Sequence, residues 1–248
     1  MIPVIPWPIT LTIVVLQPVI AFAVWRILAT SASKSVRAGL AIFLFGWLGL
    51  AFALAPSPSS LAGRDPFYLT PLIPLFAGGS FTVALVAFFV SPALRQATEA
   101  APLPGLVAVQ LYRALGVLFI ILLALGQLPA HFAQPAGWGD IFVGLTAPLV
   151  ALALARRVAG ARPLAVAWNV FGLLDLVVAV GMGTGILASV LMPELGRRVP
   201  TVGPMGVFPL ILVPTFAVPL SFMLHLLALL RLRHEARSRA GVMAGTAA

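Results

Sequence analysis

The sequence predicts an all-α integral membrane protein, a bundle of seven transmembrane helices. Three observations predict it. Hydrophobic residues make up 61% of the 248 and charged residues 8%, with a mean hydropathy of +1.12, which excludes an ordinary soluble domain. Apolar stretches of about 18 residues or more, the length that crosses a bilayer, recur along the whole chain. No polar segment between them is long enough to fold separately. Residues 1–231 therefore read as one membrane domain, and 232–248 as a basic, flexible cytoplasmic tail.

Each span follows from its own boundaries. Residues 1–8 lack a basic n-region, so no cleaved signal peptide is expected. Span 1, 5–28, is followed by Arg26, Lys34 and Arg37. Span 2, 38–55, stops at Pro-Ser-Pro-Ser-Ser, and an outer loop with Arg64 and Asp65 leads to span 3, 70–90. Arg95 and Glu99 mark the next inner loop, before span 4, 105–128. A short outer loop, 129–139, carries His131 and Trp138 ahead of span 5, 140–154, which ends at Arg156, Arg157 and Arg162. Span 6, 164–188, is followed by an outer loop with Glu194, Arg197 and Arg198, and span 7 is 207–230. With the N-terminus outside and the C-terminus inside, eleven basic residues lie at inner edges and three at outer ones, as the positive-inside rule requires. Trp7, Tyr68 and Trp138 at outer edges and Trp25 at an inner one suit an aromatic belt. Compactness and short loops point to a bacterial cytoplasmic (inner) membrane.

Spans 1–3 and 5–7 can be laid over one another. Pro18…Arg26 matches Pro148…Arg156, Phe45-Gly46…Leu50 matches Phe171-Gly172…Leu176, and Pro74…Phe76-Ala77 matches Pro214…Phe216-Ala217. These matches fit a 3+1+3 parallel internal repeat, and they also fit chance agreement in a chain built from few residue types. The layout resembles that of SWEET and PQ-loop transporters, with prolines in spans 1 and 5, but the signature dipeptide stands reversed as Gln17-Pro18. That resemblance implies transport by fold analogy alone. Trp168-Asn169…Gly172…Asp175-Leu176 and Phe208-Pro209…Pro214…Pro219-Leu-Ser221…His225 are similar to a group of uncharacterised bacterial membrane proteins, and that resemblance brings no function with it.

Polar residues inside the spans carry the functional reading. Arg113 and Asp175 are the two formal charges deep in predicted spans; an unpaired charge there costs about 3 kcal/mol or more. Helix rise puts them about 13 and 16 Å from the inner edge, with Gln17, Ser80, Thr82 and Ser221 at about 13–17 Å. Gln110 shares a stripe of span 4 with Arg113, Ser221 one of span 7 with His225, and Trp168 and Gly172 a face of span 6 with Asp175. Two readings follow: a midplane binding cavity around Arg113 and Asp175, or a structural Arg–Asp lock between spans 4 and 6. The ligand-facing set is Arg113, Asp175, Gln110, Gln17, Trp168, Asn169, Ser221 and His225. His225 reads either as a proton carrier or, preferably, as an interfacial residue at the inner end of span 7. Asn169 reads as a generic polar bridge. Asp140, after Gly-Trp-Gly and before an apolar run, reads as a helix N-cap. Pro209, Pro214 and Pro219 weaken the backbone ladder of span 7, as a gate or a static kink.

Whole classes drop out. With no cysteine, disulfides and thiolate sites are excluded. The +9 charge sits at span edges, facing anionic lipid and not nucleic acid. His131 and Asp140 are too few for a metal, the single lysine, Lys34, lies in a loop and excludes a retinal Schiff base, and no cofactor is implied. A transporter of a small polar or anionic solute or an ion leads. An intramembrane lipid enzyme follows, weakened because Asp175 is the one acid within a span. A sensor or accessory subunit is the third class.

Overall fold

Apolar residues at every helical register, with lipid in place of water, let each span bury its backbone polar groups within itself. The computed structural model describes residues 5–61, 71–192 and 202–245 and is built of helices. Among the described residues seven helices are long and apolar enough to cross a membrane. The loop residues Arg64, Asp65, Tyr68, Glu194, Arg197 and Arg198 lie outside the described residues.

Helix α1 (Trp7–Leu28) starts behind Pro6 and runs unbroken through Pro18. Helix α2 (Lys34–Ala53) is capped by Ser33, whose hydroxyl accepts from the Val36 N–H. The lipid-facing helix is α3 (Leu72–Val90), with Leu75, Val86 and Phe89 more than half exposed. A short amphipathic helix, α4 (Pro92–Ala100), leads into the fourth span, Leu103–Ala124. That span is not one regular helix. An α-turn (α5, Leu103–Ala108) passes into a 3-10 segment, Val109–Gly116, and returns to α-geometry in α6 (Val117–Ala124).

The fifth span corrects the sequence reading. Helix α7 occupies Ala130–Ala155, so the expected outer loop with His131 and Trp138 is helix. Asp140 is an interior residue of that helix and not its N-cap. Pro129 precedes the helix, and Pro135 and Pro148 lie within it. Helix α8 (Ala161–Gly183) begins behind Gly160, whose φ of 79° suits a residue without Cβ, and is followed by the short α9 (Ile186–Leu191).

Span 7 enters irregularly. Val207, Leu210 and Ile211 are buried in non-helical turns, which a membrane tolerates where protein covers the backbone. A π-turn, Val213–Ala217, then feeds α10 (Val218–Gly245). Pro219 cannot donate to the carbonyl four residues back, and the Trp47 indole N–H fills that place, 2.9 Å from the Thr215 oxygen. The arginine-rich stretch expected as a separate tail continues the same helix to Gly245.

Helices in lipid associate through close packing and polar contacts, because lipid is as apolar as leucine. The 3-10 segment and α7 approach backbone to backbone: a Cβ on Gly144 would stand 2.0 Å from the Ala114 nitrogen. The two three-span groups of the expected repeat pack differently, α3 resting on α4, α10 and the π-turn while α7 and α10 pack on span 4 and α8 packs on α7 and α10. At the basic end Arg162 pairs with Glu235 at 2.5 Å, and Arg231 Nε donates to the Ala101 carbonyl at 3.3 Å.

Two apolar clusters form the core. One gathers Val24, Leu106, Val143, Ala147, Trp168, Phe216 and Leu224 toward the basic end. The other gathers Ile9, Ile13, Phe119, Phe132, Ala136, Met182 and Leu210 toward the opposite end. Gln17, Arg113, Asp140 and Asp175 each fall, along their own spans, between a residue of one cluster and a residue of the other. A polar layer is thus enclosed by two apolar ones.

A buried charge cluster at the centre of the bundle

Arg113 is the centre of that layer and is 3% exposed. In the 3-10 geometry three residues make one turn, so Gln110, Arg113 and Gly116 stand in one straight row, and these three are the buried residues of the segment. Arg113 Nε donates to Asp140 Oδ1 at 2.6 Å, and Nη2 donates to Asp175 Oδ2. Nη1 reaches His225 Nε2 at 2.9 Å and the Gly172 carbonyl at 3.4 Å. Five donors in a rigid fork suit one guanidinium to so many acceptors. With both carboxyls ionised, two carboxylates around one guanidinium leave one negative charge in excess.

Glycines make room for these contacts. A Cβ on Gly139 would lie 1.6 Å from Asp175 Oδ1, and one on Gly172 would lie 2.4 Å from the His225 ring. Behind the ion cluster runs a chain of neutral groups. His225 Nδ1 is 2.9 Å from Asn169 Oδ1, Asn169 Nδ2 donates to the Ala165 carbonyl at 2.7 Å, and the Trp168 ring lies 5.3 Å from the imidazole. Trp168 Nε1 donates to Thr146 at 2.8 Å. His225 is wholly buried, so the expectation of an interfacial histidine is overturned; the bond to Arg113 draws it into the core.

In front of the cluster is a cavity of about 60 Å³ lined by Gln17, Tyr112, Arg113, Asp140 and Ser221, with apolar walls from α1, α6 and the π-turn. Tyr112 bonds Ser221 and donates to the Ala217 carbonyl at 3.2 Å, and Gln110 Nε2 donates to the Ser221 carbonyl at 3.3 Å. Gln17 Oε1 is buried there without a hydrogen-bond partner among the described residues.

The residues expected at the midplane thus divide. Gln17, Arg113 and Ser221 face the cavity, while Asp175, Asn169, Trp168 and His225 stand behind Arg113 and Gln110 braces span 7. Ser80 and Thr82 do not join them: Ser80 bonds the Ala77 carbonyl of its own helix, and Thr82 is exposed. Pro214 lies in the π-turn, Pro219 in the first turn of α10, and Pro209 in the irregular entry. Sequence reasoning missed Asp140 and Tyr112. Two acids, Asp140 and Asp175, lie at the centre of the described spans where one was expected, which removes the objection raised against an enzyme.

The model of one family, described as a domain of unknown function, DUF8737, matches residues 70–233. The chain belongs to the DUF8737 family. The DUF8737 region begins at the start of α3 and ends within α10, so it contains the whole Arg113 cluster and leaves out Gln17 and Trp47. No curated protein and no solved structure matches the chain.

Proposed function

We propose that this multi-pass membrane protein is a transporter whose substrate site is the enclosed polar layer. One observation carries the reading: the two spans with interrupted helical geometry, the fourth and the seventh, meet at a small cavity with apolar walls and a few polar side chains, between two apolar clusters. Transporter sites lie near the midplane and are built from discontinuous helices, with apolar barriers on each side that open in turn. The guanidinium of Arg113 is already engaged by two carboxylates, which speaks against an anionic substrate and for a neutral or cationic one. Arg113 then holds the fold of the site, while Gln17, Tyr112, Asp140 and Ser221 meet the solute. The arginines of α8 and α10 that meet at one end of the bundle, beside the end of α4, favour that end facing the cytoplasm.

The absence of cysteine makes a direct test simple. Ser221→Cys and Leu16→Cys place single thiols on the cavity wall, to be challenged by a membrane-impermeant maleimide from each side of oriented vesicles. Alternating access predicts labelling from both sides, with solute binding shifting the balance. Labelling from one side alone, or from neither, overturns the reading and leaves a structural ion cluster or a one-sided active site.

A further inference from the structure

We propose that the cavity in front of Arg113 binds a small monovalent cation, with Gln17 Oε1, the Asp140 carboxylate and the Ser221–Tyr112 hydroxyl pair as its oxygen ligands. The inference deepens the transporter reading, since it names the chemical class that the same cavity takes. Three independent features point to it. The first is charge: Asp140 and Asp175 face a single guanidinium in the middle of the bundle, so the second carboxyl requires a counter-charge or a proton. The second is an orphan acceptor. Gln17 is 3% exposed and is one of the residues that line the cavity, and no donor among the described residues reaches its buried Oε1. A buried carbonyl without a donor is the ligand that a cation uses and that the protein otherwise satisfies.

The third feature is size and donor type. About 60 Å³ admits a partly dehydrated ion and a water or two, and is far below the several hundred Å³ of sites for larger organic ligands. Asp140 keeps 18% of its side chain exposed, against 6% for Asp175, so it is the carboxylate that borders the open space. Among the described residues no group of three or more histidine, cysteine or acidic side chains is arranged to hold a metal ion through those groups alone. One unmatched charge and neutral oxygens suit a hard, singly charged cation better than a divalent one, which gathers more carboxylates.

The test is thermal unfolding of the purified full chain, followed by its five tryptophans, with N-methylglucamine replaced by Li⁺, Na⁺ or K⁺ at constant ionic strength. Wild type is expected to show a saturable rise of a few degrees with at least one of the three, since a ligand that binds only the folded state stabilises it. Gln17→Leu, which removes the orphan oxygen and keeps the volume, is expected to unfold near the wild-type N-methylglucamine temperature and to respond to none. Gln17→Asn, which withdraws the carbonyl by one methylene, is expected to weaken the ion about tenfold and serves if the leucine variant does not fold. A wild type indifferent to all three ions overturns the proposal and leaves a resident proton as the counter-charge. An unchanged titration in the Gln17 variants also overturns it. Two-sided cysteine labelling without any cation response would remove the cation and keep the transporter; one-sided labelling with a cation response would do the reverse.

Discussion

The imidazole of His225 takes a hydrogen bond from Arg113 across the core of the bundle, Nη1 to Nε2 at 2.9 Å. A guanidinium only donates, so Nε2 is the acceptor and the proton resides on Nδ1, which faces Asn169 Oδ1. The amide then donates its own N–H to Ala165. The whole chain of bonds has one consistent set of protons, and in it His225 is neutral.

That assignment predicts a spectroscopic result. With ¹⁵N-labelled histidine in nanodiscs at neutral pH, one of the three imidazoles should show the Nδ1–H tautomer, and Asn169→Leu should cost about 1–2 kcal/mol while disturbing that signal. An imidazolium at this position would contradict the network.

Removing Arg113 should be worse than removing everything it binds. Arg113→Met leaves two buried carboxylates facing each other and should destabilise by about 3–5 kcal/mol. The triple variant that adds Asp140→Asn and Asp175→Asn should recover most of the loss in thermal unfolding. A triple variant no more stable than the single one would show that the carboxylates do not depend on Arg113.

Two glycines provide a steric test with controls inside the same chain. Gly139→Ala and Gly172→Ala drive a methyl into the Asp175 carboxylate and the His225 ring, and each should cost about 2–3 kcal/mol or prevent folding. Gly46→Ala and Gly78→Ala meet nothing within 4 Å and should fold normally. Equal behaviour of the two pairs in size-exclusion and unfolding measurements would contradict the packing described.

The bond from Trp47 to Thr215 should be coupled to Pro219. Trp47→Phe removes the donor and should cost about 1–3 kcal/mol by orphaning a buried carbonyl. Adding Pro219→Ala restores a backbone N–H four residues on, so the double variant should lose less than the sum of the two single losses. Additive losses would show that the indole does not serve the proline gap.

The seven spans were legible because hydropathy accumulates over some twenty residues and tolerates errors at the ends. Arg113 and Asp175 were legible for the converse reason: a charge in an apolar run has no bland explanation except a partner. Asp140 was not. The residues before it, Ala130 to Gly139, include His131, Gln134, Pro135 and two glycines, which resemble a loop when summed. Their small side chains are what a closely packed membrane helix also requires. His225 was misplaced because depth along one helix says nothing of the neighbour opposite, here a glycine. The 3-10 geometry of Val109–Gly116 had no signal in composition at all; what accompanies it is a close approach to α7 at Gly116 and Gly144, which only the fold reveals.

That segment also behaves as a screw thread. Eight residues at the 3-10 rise are roughly 4 Å longer than the same eight in α-form, and are wound about 160° further. Any relaxation of Val109–Gly116 toward α-geometry would pull the two ends of the span together and rotate one against the other. Arg113, in the middle of the thread, would swing out of register with Asp140 and Asp175. The ion cluster thus grips the thread at its middle, where Arg113 is bonded to both carboxylates.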